Sequence, residues 1–112
     1  IYGPTAGERQ VSARHALATS PAEGAIVEPW PLRFTDFDIL GHVNNAAQWG
    51  PVEEALSRID GPRQAIHAEL EHGVGIEPGF DTELWWQPAE GGVDTWLLAN
   101  GKAGSVARVR PL

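Results

Sequence analysis

The stretch VEEALSRIDGPRQAIHAELEH, Val52 to His72, decides the fold. Val52, Ala55, Leu56 and Ile59 recur at spacings of three and four, which lays one apolar stripe along an amphipathic helix. Gly61-Pro62 stops it, since proline lacks the N–H that the next turn needs. The period then drops to two: Ile66, Ala68 and Leu70 alternate with His67, Glu69 and Glu71, the pattern of a half-buried strand. Downstream, the run Asp81 to Gln87 sets Trp85 and Trp86 on opposite faces of a second strand. Pro88 to Gly92 is a loop, and Val93 to Ala99 is a third run. Asn100-Gly101 closes a hairpin onto Lys102 to Val109, because both residues tolerate the positive φ of a type I′ turn. Upstream, Leu32, Phe34 and Asp36 share one face of a short extended run, and Pro51 kinks the first part of the helix or marks where its regular part begins. The order is strand, helix, then four strands in an antiparallel meander. That is an α+β domain, one long helix packed against one antiparallel sheet.

The chain has 112 residues, room for one compact domain rather than two. It carries 15 acidic against 8 basic residues, a formal net charge of −7, and Lys102 is its one lysine. Nucleic acid needs a clustered basic footprint, so that partner is excluded, and an anionic membrane surface is disfavoured. No apolar run approaches a membrane span, so no membrane insertion is expected. There is no cysteine, which removes disulfides, thiolate nucleophiles and cysteine-bound zinc and fits a reducing cytoplasm. Methionine is absent even at position 1, so a fragment of a longer chain is expected. Residues 1–29, punctuated by Pro4, Pro21, Gly24 and Pro29, read as a linker or as the tail of a preceding domain whose last strand is Val11 to Leu17. The globular domain is then 30–112.

Chemistry concentrates in RFTDFDILGHVNN, Arg33 to Asn45. Asp36, Asp38, His42, Asn44 and Asn45 gather at a strand-to-helix junction. A carboxylate near a histidine can position or deprotonate a water, and the unpaired N–H groups of a helix start suit a developing oxyanion. The same residues also suit plain turn and cap roles. A metal site on Asp38 and His42 would need further ligands at suitable spacing.

The motif DFDILGHVNNA, Asp36 to Ala46, followed by VEEAL at Val52 to Leu56, resembles the signature of hot-dog-fold thioesterases, above all acyl-acyl-carrier-protein (acyl-ACP) thioesterases. AELEHGVGIEPG, Ala68 to Gly79, and ARVRP, Ala107 to Pro111, also look like that family, so the resemblance covers about residues 30 to 111. It implies a hot-dog fold, in which the sheet wraps the helix, and hydrolysis of an acyl thioester to free fatty acid and carrier thiol without metal or organic cofactor. It implies acyl-ACP or acyl-CoA as substrate. It also implies a homodimer, or pairing with a second hot-dog domain upstream, since the acyl pocket forms between two such units. The family's catalytic aspartate falls on Asp38, as general base on water or as nucleophile, and its histidine on His42, which would orient the substrate or the carboxylate. Asn45, Trp49 and Glu53 are the candidate substrate-binding residues, Trp49 as the lining of an acyl tunnel. Two positions depart from the plant enzymes: Leu40 stands where they have asparagine, and Gly75 where they have glutamate. Those departures support an alternative, a non-catalytic half that completes the fold and pocket of a double hot-dog protein. A hot-dog hydratase would want a histidine with an acidic partner in a different motif, which the sequence lacks.

Overall fold

The computed structural model describes residues 17–41, 43–59 and 66–112. The expected strand of Val11 to Leu17, apart from Leu17 itself, and the Gly61-Pro62 stop lie outside them. Five strands form one antiparallel sheet in the order β1-β3-β4-β5-β2: β1 Ile26–Pro29, β2 Ile66–His72, β3 Thr82–Ala89, β4 Gly92–Ala99 and β5 Lys102–Pro111. Among the described residues the single α-helix, α1 Trp49–Ser57, extends a 3-10 turn at Ala46–Gln48. Pro51 sits in its first turn, where its missing N–H costs no hydrogen bond.

The meander holds for β3, β4 and β5, joined by two tight turns. Asn100 and Gly101 have φ of 51° and 82°, as the hairpin signal requires. Glu90 and Gly91 repeat that conformation at 50° and 81°, so the loop expected at Pro88 to Gly92 is a second hairpin turn. Strand β2 departs from the meander. It pairs with β5 at the far edge, Ile66 opposite Pro111 through His72 opposite Ser105. Its connection to β3 must therefore cross the ends of β5 and β4. Ile76 makes that crossing, fully buried over Gly104 and Leu97. A Cβ on Gly104 would lie 2.5 Å from Ile76 Cδ1, so the glycine makes the close approach possible.

The two faces carry different covers. Val52 and Ala55 of α1 pack on Leu84, Trp86, Val93, Ala107 and Val109. The other face, with Trp96, Leu98 and Val106, is covered by Leu17, Ala22 and Ala25, and Trp85 packs there. Trp85 and Trp86 do point to opposite faces. The sheet also begins before residue 30. Ile26 to Pro29 pair with Trp86 to Glu83, and Leu17 is buried, its N–H donating to Glu71 Oε1 at 3.1 Å. The upstream strand is thus Ile26–Pro29, while Phe34–Asp36, expected to be extended, is a 3-10 turn. Asp36 explains the turn: its Oδ2 accepts the Arg33 N–H at 2.8 Å, and its own N–H donates to Arg33 O at 2.9 Å.

An ion cluster fastens β1 to α1. Arg58 donates to both oxygens of Glu28, at 2.5 and 2.8 Å, and to Glu54 at 3.0 Å, while Trp86 Nε1–H donates to Glu28 at 2.9 Å. The Arg58 hydrogen bonds hold the Glu28 carboxyl below its ordinary 4.5. A carboxyl whose folded pKa is depressed stabilises the fold fully above its unfolded value and loses that contribution as pH falls through the folded one. Arg58→Ala should therefore lower stability near pH 8, where that contribution is complete, and move acid unfolding, followed by tryptophan fluorescence, to higher pH, the two proteins converging in stability once Glu28 is protonated. An unchanged acid midpoint would show that the cluster does not couple to folding.

Candidate functional site

The segment between β1 and α1 folds back over the sheet end and creates a groove. Val43 and Phe37 form an isolated antiparallel bridge, Val43 N–H donates to Ile76 O at 3.1 Å, and Asn44 N–H donates to Asp36 O at 2.7 Å. Val43, Ile76, Leu97 and Ala99 form a buried cluster beneath, with Trp30, Leu32, Phe37 and Phe80 packed on it. These contacts anchor both ends of the loop from Asp38 to Gly41. Within it, Leu40 N–H donates to Asp38 Oδ1 at 2.9 Å and Gly41 N–H to Asp38 O at 3.0 Å. Gly41 has φ of 83°, a conformation that side chains with a Cβ disfavour.

Asp38 lines a groove of about 820 Å³ with Leu32, Phe34, Phe37, Ile39 and Phe80 as its apolar wall. Arg33, Glu77 and Asp81 stand among its lining residues. The loop leaves large apolar side chains in solvent: Phe34 is 93% exposed, Leu40 77%, and Ile39 wholly exposed. A carboxylate in the wall of an apolar groove has the two parts that a hydrolase for an apolar acyl ester requires, a proton acceptor and a surface for the chain.

The other sequence candidates are dispersed. His42 lies outside the described residues. Asn45 is exposed at the start of the 3-10 turn, and its carbonyl accepts the Gln48 N–H at 3.2 Å. The Ala46 N–H donates to Asn44 Oδ1 at 2.7 Å and the Ala47 N–H to Asn44 O at 3.0 Å. The amides expected to face an oxyanion are thus already bonded within the turn. Trp49 is half-buried against the helix-face core and does not line the groove. Glu53 is exposed and borders a separate hollow with Glu28, Asp36 and Arg58, while the adjacent Glu54 is half-buried. Gly75 has open space where a Cβ would stand. Among the described residues, no three or more histidines and carboxylates are grouped to hold a metal.

One polar pair is not legible in the sequence. His72 Nδ1 lies 3.0 Å from Oε1 of Gln48, a buried side chain at the start of α1. Burial pushes the His72 pKa below its ordinary 6.5, so the ring is neutral at neutral pH and Nδ1–H donates to the amide oxygen. His67, by contrast, is exposed and pairs with Glu69 at 2.8 Å.

Comparison with known proteins places this architecture. The sequence model of the acyl-ACP thioesterase C-terminal domain matches residues 19–103. Two uncharacterised proteins of Mycobacterium tuberculosis, from strains CDC 1551 / Oshkosh and ATCC 25618 / H37Rv, are each 28% identical over 111 residues. The alignment takes in 99% of this chain and 44% of theirs, so the chain spans less than half the length of these curated relatives. Among solved structures, a thioesterase from Thermus thermophilus, complexed with coenzyme A and Zn, superposes with a TM-score of 0.64 at 24% identity. The match covers 77% of each chain and establishes the shared fold.

Proposed function

Since the chain belongs to the acyl-ACP thioesterase C-terminal domain family, we propose that it hydrolyses an acyl thioester, with acyl-ACP as first candidate, in the groove that Asp38 lines. The Asp38 carboxylate takes a proton from water as the water oxygen bonds to the thioester carbonyl carbon. Collapse of the tetrahedral intermediate breaks the C–S bond, and the departing thiolate takes up the proton. The products are a free fatty acid and the carrier thiol. The observation that carries this reading is the single one of a carboxylate set in an apolar wall. Asp38→Asn, with free-thiol release as the readout, tests it. Acyl-CoA is the competing substrate, and a cytosolic location, which the cysteine-free composition favours, is tested by cell fractionation.

The second reading, a non-catalytic half, draws on two positions. Leu40 projects into solvent and Gly75 has no side chain, so neither supplies a group to hold the water. It predicts full retention of activity by the whole protein when Asp38 is changed.

Pairing with a second hot-dog unit, either another copy or an upstream domain, belongs to the same proposal. Among the described residues, strand β2 leaves a seven-residue sheet edge without a neighbouring strand, and edges of that length invite one. The exposed Phe34, Ile39 and Leu40 form an apolar rim that such a unit would cover. Sedimentation should show a dimer of this chain, or a compact two-domain monomer of the whole protein. A stable, well-folded monomer of this chain at micromolar concentration would contradict pairing between copies, and an extended two-domain protein would contradict pairing within one chain.

A further inference from the structure

Among the described residues, the groove has one cation on its rim. Of those that line it, Arg33 alone is basic, whereas Asp38, Glu77 and Asp81 are acidic. Arg33 also borders the adjoining hollow of Glu28, Asp36, Glu53, Glu54 and Arg58, so it stands on the ridge between the two. The other cation of that hollow, Arg58, is committed to Glu28 and Glu54. Arg33 is not held in that way. The Asp36 carboxylate is engaged by the Arg33 backbone N–H at 2.8 Å, and its distance to the guanidinium Nε is 4.0 Å. The Arg33 side chain remains 82% exposed. The remaining described cations are elsewhere: Arg108 and Arg110 face Asp94 on β4, and Lys102 sits beyond the Asn100-Gly101 turn.

We propose that Arg33 recognises the phosphate of the substrate's thiol carrier, the phosphopantetheine arm that coenzyme A and carrier proteins share. The proposal rests on the thioesterase reading and adds the carrier end of the substrate to it. An acyl chain belongs on the apolar wall and its thioester carbon beside Asp38. The arm then leaves along the loop toward Arg33, five residues away, a span of at most about 18 Å. In a chain of net charge −7, an anion entering this rim is repelled by its carboxylates and attracted at Arg33. The planar guanidinium can donate two parallel hydrogen bonds to one phosphate. Arg33 thus selects for a carrier that bears phosphate and fixes which end of the substrate faces outward.

The test uses the whole protein and one acyl chain on three carriers: carrier-protein phosphopantetheine, coenzyme A, and N-acetylcysteamine, which has no phosphate. Arg33→Gln should raise KM for the phosphate-bearing esters about fivefold, the worth of one exposed ion pair. Arg33→Glu should raise it further, Arg33→Lys should recover part, and kcat should hold. KM for the N-acetylcysteamine ester should not move. A rise confined to the carrier-protein ester or to the coenzyme A ester identifies which source of phosphate the residue meets. Equal change for the neutral ester, or no change for any, overturns the proposal. If the wild-type protein hydrolyses none of the three esters, the thioesterase reading fails and calorimetry decides the Arg33 proposal alone. Coenzyme A bound by the wild type and released by Arg33→Glu supports it; equal binding, or none, overturns it.

Discussion

Replacement of Asp38 by asparagine should lower thioester hydrolysis by about 10²–10⁴, the usual contribution of a positioned acid or base. The substitution is chosen to leave the loop intact. Asp38 Oδ1 accepts the Leu40 N–H, and an asparagine Oδ1 can accept the same bond. What is lost is the negative charge that takes the water's proton. Thermal unfolding should move little, since even a lost cap costs only about 1 kcal/mol. The readout is free-thiol release from acyl-ACP and acyl-CoA by the whole protein. A variant that folds normally and keeps near-normal turnover would move the chemistry to another site and favour the non-catalytic reading.

The largest effect on stability is expected at Leu84. It is fully buried on the helix face of β3, opposite the buried Leu97 of β4, and packs with Val52, Ala55, Trp86 and Val93. Leu84→Ala removes apolar contact from both the helix and the sheet, and its rigid neighbours cannot close the space. The cost should be about 2–5 kcal/mol, a large part of the ~5–15 kcal/mol that holds a typical domain together. Urea unfolding should show a lower midpoint at an unchanged slope. A loss below ~1 kcal/mol would mean that α1 is not seated on this part of the sheet.

Much of the architecture is readable because its signals are local. Val52, Ala55 and Leu56 mark the helix face by spacing alone, and Val52 and Ala55 are buried where that spacing puts them. Asn100-Gly101 announces its turn by residue type, and adjacent tryptophans in a strand must part. The Glu90-Gly91 turn is hidden because glutamate at positive φ carries no such signature. Strand β1 is hidden by being short and ending on Pro29, a residue that only an edge strand tolerates. The run from Leu32 to Asp36 alternates like a strand, but the Asp36 side chain captures the Arg33 amide and curls it. Where β2 lies in the sheet is beyond any local pattern, since it depends on Ile76 meeting Gly104.

The site divides along the same line. Asp38 is identifiable through a motif and stands in the groove. Trp49 and Glu53 are drawn in by their nearness to that motif in sequence, but on α1 they face the core and the solvent. Gln48 and His72 meet across 24 residues of chain, a contact that neither residue's neighbours in sequence announce.

The central claim, that a thioester is hydrolysed in the groove of Asp38, is tested most directly by single-turnover hydrolysis of acyl-ACP in ¹⁸O-labelled water with the whole protein. Labelled free fatty acid should appear together with one equivalent of carrier thiol, and Asp38→Asn should abolish both on the same timescale. Intact acyl-ACP after prolonged incubation with folded wild-type protein, together with an equally inert acyl-CoA, would contradict the account.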